Sequence, residues 1–214
     1  MKKKAKLAAA RRFSAPPEAS RVLALQAGTA VFGSRGLHAA SMDDIARRAG
    51  FTKIVLYRQF GSKRDLFEAV VDAECERVIE YLFREYARAL DLPLPEQIRV
   101  ATRAFFEYAK KYPEGFRLLF LAGDPRDTVV EAKVKAALRR VFDRIADMLR
   151  RGLRQYGSPD GQVADVLATM TVGLVMVTIR RLREEPAWDE DAVLDLIADF
   201  QFAALVHLKR EALA

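Results

Sequence analysis

Ser41-Met42-Asp43-Asp44-Ile45-Ala46-Arg47-Arg48-Ala49-Gly50-Phe51-Thr52-Lys53-Ile54-Val55-Leu56-Tyr57-Arg58-Gln59-Phe60-Gly61-Ser62-Lys63 is the stretch whose punctuation decides the fold. Ser41 is a helix-capping residue type, and Ser41-Met42-Asp43-Asp44 resembles a capping box with Asp44 in the place of the usual Glu or Gln. Met42, Ile45, Ala46 and Ala49 then fall at i, i+3, i+4 and i+7, the spacing of one buried helical face, before Gly50 stops the helix. Gly50, Phe51 and Thr52 separate it from a second helix over about 53–60, with Thr52 as its natural N-cap. Gly61-Ser62 closes that helix, and Ser62 is placed to cap a longer one starting near Lys63. Two short helices joined by a turn containing glycine, the second opening on a capped end, form a helix-turn-helix.

Helix signals continue on both sides. Before the motif, a helix is expected from about Ser20 to Ser34, with Leu25, Val31 and Phe32 on its apolar face and Gly36 just past its end. Residues 1–19 combine a basic run with Ser14, Pro16 and Pro17 and read as a flexible arm. After the motif, segments are expected over about 63–90, 95–111, 114–122, 126–155, 161–184 and 189–211. Breaks fall at Leu92-Pro93, Tyr112-Pro113, Gly123-Asp124-Pro125, Gly157-Ser158-Pro159 and Glu185-Pro186, each pairing a proline with a residue driven out of helical geometry. No period-2 strand pattern and no internal repeat is evident. The expected fold is all-α with about nine helices: a three-helix domain over 20–65 and a larger helical domain over 66–214.

Charge is distributed unevenly along the 214 residues. Residues 1–65 hold 14 Lys/Arg against 4 Asp/Glu, a formal +10, which leaves −3 for the rest of a chain whose total is +7. The positive excess therefore sits on the first third and points to a polyanion: DNA, RNA or an acidic membrane surface. Cys75 is the lone cysteine, which excludes an intrachain disulfide and a Cys-rich metal site. The basic start is followed by no apolar stretch of the kind a secretory signal needs. The least charged run, Val166 to Ile179, is 14 residues, short of the roughly 20 that span a bilayer. It reads as a buried helix of a soluble, cytoplasmic protein. Only two histidines occur, His38 and His207, neither with a metal-ligand partner at useful spacing. Cys75 has no adjacent His, and no Walker loop, Gly-rich dinucleotide turn or HExxH occurs. An enzyme is not expected, nor a cofactor.

In the second helix of the motif, Leu56 and Phe60 lie four apart and should face the core. Lys53, Ile54, Tyr57 and Arg58 fall on the other side and offer cationic, apolar and aromatic-hydroxyl contacts, with Gln59 near that edge. Such a helix suits the major groove, where each base pair presents its own donor and acceptor pattern. Lys63 lies at a helix start, where backbone N–H groups also favour phosphate.

Residues 20–71 closely resemble the DNA-binding domain of TetR-family repressors. The matching strings are Ala24-Leu25-Gln26-Ala27, Val31-Phe32, Gly36, Ser41 to Ala46, Ala49 to Lys53, Leu56 to Phe60, Ser62-Lys63 and Leu66-Phe67. The resemblance implies phosphate contacts from Thr52, Tyr57 and Lys63, and base or phosphate contacts from Lys53 and Arg58. Ser41 would cap the motif's first helix beside the DNA backbone. Gln59 stands where the family usually has His, and either can bond a phosphate. Ile54 stands where a small residue or proline is common, and either meets a thymine methyl or shields the turn. Arg58 is the preferred guanine reader, with a phosphate role as the alternative. Arg47 and Arg48 either approach phosphate or are simply solvated. The arm Lys2 to Arg12 either follows the minor groove or has no role.

For the rest of the chain, the resemblance implies a homodimer on a pseudo-palindromic operator, with the last two helices pairing with their mates. Leu167, Leu174, Val175, Leu194, Ile197, Phe200 and Leu205 are the candidate interface, packing within one subunit being the alternative. It also implies a pocket for an unidentified small, apolar effector. The candidate lining is Phe105, Phe106, Tyr108, Phe116, Phe120, Met148, Met170 and Met176, with Arg103 or Arg117 as anchors; an ordinary core is the commoner source of such a stripe. The functional alternative is a helical scaffold or membrane-surface protein that binds polyanions without sequence preference.

Overall fold

The structure is a computed structural model that describes residues 17–121, 128–154, 162–185 and 187–207, without the side chains of Pro17, Gln162 and 205–207. Among the described residues every regular element is a helix. These are α1 (Pro17–Ala39), α2 (Met42–Ala49), α3 (Lys53–Phe60), α4 (Lys63–Arg88), α5 (Leu94–Lys111), α6 (Pro113–Phe120), α7 (Thr128–Arg154), α8 (Gln162–Leu182) and α9 (Glu190–His207). The expected all-α class and the helical segments stand, with ends shifted by up to five residues. Two differences have local causes. α1 begins at Pro17 rather than Ser20, because proline's fixed φ suits a first helical position, where its missing N–H costs nothing. Gly36, with φ 72 and ψ 174, breaks the helical path where the sequence places the stop, and helical backbone resumes beyond it to Ala39.

The chain forms two compact units, Met1–Glu76 with Tyr112–Val134, and Arg77–Lys111 with Lys135–Ala214. The first unit therefore runs past residue 65 and takes in α6. Its core gathers Ala24, Phe32, Ile45, Leu56, Leu66, Val70 and Phe116, all fully buried. The rings of Phe32 and Phe67 meet edge-on at 5.0 Å. Close approach of the α1 backbone depends on glycine: a Cβ on Gly33 would stand 2.4 Å from the Glu114 carbonyl oxygen of α6, and one on Gly28 would stand 2.6 Å from Val70 Cγ2. The buried Glu74 carboxylate accepts a hydrogen bond from the Thr29 hydroxyl at 2.6 Å, which offsets part of the cost of burying it.

The second unit packs α5 against α8 and α9. Ile98, Phe105, Tyr108, Val172, Val175, Leu194 and Ile197 fill its interior, with Ile145 and Leu149 from α7. On the outside, Arg99 bridges Asp195 and Asp199, Arg103 pairs with Asp191 and Lys110 with Glu190, so a line of opposite charges seals α5 to α9. Between these helices the Thr102 hydroxyl donates to Gln201 Oε1 at 3.2 Å. One part of this unit stays open. α8 is long and apolar enough to cross a membrane, yet a third of that apolar stretch is buried within the chain. The expectation of an enclosed core helix is corrected accordingly: Val166, Met170 and Val177 on α8 and Leu196 and Phe200 on α9 face outward.

Candidate nucleic-acid interface

The helix-turn-helix is built by local bonds that the sequence announces. The Ser41 hydroxyl accepts the Asp43 N–H at 3.1 Å and caps α2. The reciprocal half of a capping box does not form there, because the Asp44 carboxylate is taken by Arg35 and Arg47. At the other end, Gly50 adopts the left-handed conformation, φ 78, and its N–H turns back to the carbonyls of Ala46 and Arg47. Phe51 N–H reaches the Ala46 carbonyl at 2.9 Å, closing the turn. Thr52 occupies the N-cap position of α3 with extended backbone, but its hydroxyl makes no cap bond and is left for another partner. After α3, Gly61 again takes a positive φ of 83, and Ser62 accepts the Asp65 N–H at 3.0 Å to open α4.

α3 then divides as expected. Leu56 and Phe60 are buried, while Thr52, Lys53, Ile54, Tyr57 and Arg58 are exposed. Ile54 is 78% exposed, more than any other large apolar side chain among the described residues. Arg58 makes no hydrogen bond or ion pair among the described residues, and neither does Arg48 in α2. Arg47, by contrast, is bound to Asp44. Arg21 stacks over the Phe60 ring at 4.9 Å, so its charge is partly spent on holding α1 to α3. Gln59 is half-buried and its amide oxygen is shielded from solvent.

Two lysines of the expected set have partners that sequence reasoning missed. Lys53 Nζ lies 3.0 Å from Asp43 Oδ2, across the turn. The Asp43 hydrogen bond and charge raise the Lys53 ammonium above its ordinary value. Lys63 Nζ donates to the carbonyl oxygens of His38 and Ala40 at 3.2 Å each, tying the start of α4 to the end of α1. An ammonium has three donors, so one remains for a phosphate. Neither pairing has a sequence signal, because the partners are 10 and 25 residues away on other elements.

The remaining candidates fall elsewhere. Phe116, Arg117 and Phe120 belong to the first unit; the Phe116 and Phe120 rings pack at 5.0 Å, and Arg117 is exposed. Phe105, Phe106, Tyr108 and Met148 are buried in the second unit, where Met176 is half-buried and Met170 exposed. Arg103 lies on the surface with Asp191. Of the interface candidates, Val175, Leu194 and Ile197 are buried within their own unit, Leu167 and Leu174 are half-buried and Phe200 is exposed. Leu205 lies outside the described side chains, and the arm lies outside the described residues. A groove of about 420 Å³ that the sequence did not mark is lined by Arg139, Phe142, Asp143, Arg150, Asp165 and Thr169. Cys75 is buried, and desolvation followed by the charges of Asp72 and Glu76 pushes its thiol up to about 11, so it carries little thiolate at neutral pH.

Residues 24–70 match the pattern of the bacterial regulatory proteins of the tetR family. The chain is 29% identical over 197 residues to the HTH-type transcriptional activator FasR of Mycolicibacterium smegmatis, covering 90% of this chain and 86% of that protein. It is 26% identical over 165 residues to the HTH-type transcriptional repressor SCO4008 of Streptomyces coelicolor, covering 75% and 81%. The crystal structure of a TetR-like transcriptional regulator from Rhodococcus sp. RHA1 superposes with a TM-score of 0.70 at 27% identity, over 88% of this chain and 97% of that one.

Proposed function

We propose that the chain is a TetR-family transcriptional regulator that works as a homodimeric, ligand-released repressor on a pseudo-palindromic operator in the cytoplasm. The observation that carries DNA recognition is the outward face of α3, where a solvent-exposed Ile54 stands beside Tyr57 and an exposed Arg58 with no partner among the described residues. An uncommitted guanidinium pays nothing to leave an internal partner, so Arg58 is assigned to the O6 and N7 of a guanine. Ile54 is assigned to a thymine methyl, and Thr52, Tyr57, Gln59 and the remaining donor of Lys63 to phosphates.

The open apolar stripe supports the dimer. Val166, Met170 and Val177 share a face of α8 with Gly173, around whose missing Cβ there is open space. On α9, Leu196 and Phe200 are also apolar and exposed. A second copy of the chain covers these side chains and presents two copies of α3 to one face of the duplex. The interface is thereby moved off Val175, Leu194 and Ile197, which are already used inside the protomer. An effector is proposed for the second unit, where the buried Tyr86 hydroxyl and the Gln201 Nε2 have no hydrogen-bond partner among the described residues. Buried polar atoms left unpaired cost free energy that a ligand's polar group can recover. Repression follows where a bound dimer occupies a promoter; the relatives FasR and SCO4008 are named for opposite signs.

Selection of bound duplexes from a random pool by the full chain, at physiological salt, tests this reading. A two-fold symmetric motif is the expected product. Recovery without any sequence preference would replace the reading with a basic helical scaffold that holds polyanions.

A further inference from the structure

Asp43 is a carboxylate on the side of the motif that must meet a polyanion, since its partner Lys53 opens the recognition helix. The fold does not ask for it there. The cap of α2 is made by the Ser41 hydroxyl on the Asp43 backbone N–H, a bond any residue but proline at 43 would keep. Asp44, one residue on, is spent on Arg35 and Arg47, whereas the Asp43 carboxylate is largely in solvent. An exposed ion pair of this kind adds little stability, and near phosphates its acid is repelled. A carboxylate gains at a DNA surface only opposite amino hydrogens, which the major groove offers at cytosine N4 and adenine N6.

We propose that the Asp43 and Lys53 side chains, held 3.0 Å apart, act as one specificity-determining pair that reads a single G·C base pair in each half-site. A G·C pair sets the two acceptors of guanine, O6 and N7, beside the cytosine N4 donor. Lys53 supplies donors to the guanine and Asp43 accepts from the cytosine amine. The ion pair pre-positions both groups and keeps Lys53 from a phosphate, so the acid also weakens binding to DNA of the wrong sequence. The inference rests on the proposed operator binding and adds a second read base pair to the one assigned to Arg58.

The test is the random-pool selection repeated with Asp43→Ala and Lys53→Met, alongside binding to the wild-type motif with each substitution at the assigned pair. Helical circular dichroism should be unchanged, since neither side chain is buried. Asp43→Ala is expected to cut the preference for G·C at one position per half-site by about tenfold or more, with the other positions kept. Lys53→Met should relax the same position, and the double variant should lose no more than the larger single loss. Two results overturn the pair: an unchanged motif in Asp43→Ala, or a uniform rise in affinity for every duplex with a salt slope steeper by about one. The second would make Asp43 a phosphate competitor of Lys53 and nothing more. A shift of preference to A·T would overturn the base assignment. If the wild-type chain selects no motif, operator binding itself fails, and the pair with it.

Discussion

Ile54 on α3 and Met170 on α8 are both large apolar side chains left mostly in solvent, at 78% and 65% exposure, yet they stand in different company. Ile54 is flanked by Lys53, Tyr57 and Arg58 on an eight-residue helix whose other face, Leu56 and Phe60, is buried. Met170 belongs to a stripe with Val166, Gly173 and Val177, and similar side chains stand open on α9. A lone apolar group among cations can make one contact with a polar partner surface. A continuous apolar stripe is stable only under another apolar surface. The first unit leaves outward a mixed cationic and apolar face of the kind proposed above to meet DNA; the second leaves an apolar stripe of the kind the proposed second copy would cover.

Charging the stripe should have the largest effect. Met170→Glu with Phe200→Glu leaves the protomer's core untouched, because both side chains point outward, but buries two carboxylates in the dimer. Sedimentation should then report monomers, and operator affinity should fall by on the order of 100-fold, equivalent to about 3 kcal/mol. A dimer that survives would place the interface elsewhere. Next, a methyl group separates the closed unit from the open one. Gly33→Ala drives a Cβ onto the Glu114 carbonyl at 2.4 Å and should cost about 1–3 kcal/mol in thermal or denaturant unfolding. Gly173→Ala meets open space and should raise helix stability by roughly 1 kcal/mol, losing that gain only where the partner helix comes close.

Smaller effects belong to the DNA face. Arg58→Ala should cost about 1–3 kcal/mol at one base pair per half-site and leave the oligomeric state unchanged. Equal losses on operator and random duplexes would reassign Arg58 to a phosphate. Ser41→Ala removes the α2 cap and should lower unfolding free energy by about 1 kcal/mol, with a loss of DNA affinity no larger than that.

What was legible in the sequence follows the range of the interactions. Ser41, Gly50 and Ser62 announce their caps and turns because the bonds that form there close within two to five residues, and a helix-turn-helix is a chain of such bonds. Gly36 is similar: its positive φ is a local property. The Asp43–Lys53 and Lys63–His38 contacts connect separate elements, and nothing in the intervening residues encodes them. α8 fails for a different reason. Its apolar residues surround much of the helix, so periodicity cannot tell Val175, which is buried, from Val177, which is exposed. On α9 the same ambiguity exchanges Leu196 for Leu194 and Ile197. The Phe and Met stripe likewise marks burial without saying whether a ligand or another side chain provides it. Arg103, offered with Arg117 as an alternative anchor, pairs with Asp191 on the neighbouring helix at the surface, a contact that the stripe does not encode.

The central claim is that two copies of α3 read one duplex from the same side. Hydroxyl-radical footprinting of the full chain on its selected duplex tests it most directly. Two equivalent protected patches, offset by symmetry and centred about one helical turn (~34 Å) or a small multiple apart, are expected. A single protected patch, or even protection along the whole duplex, would contradict it.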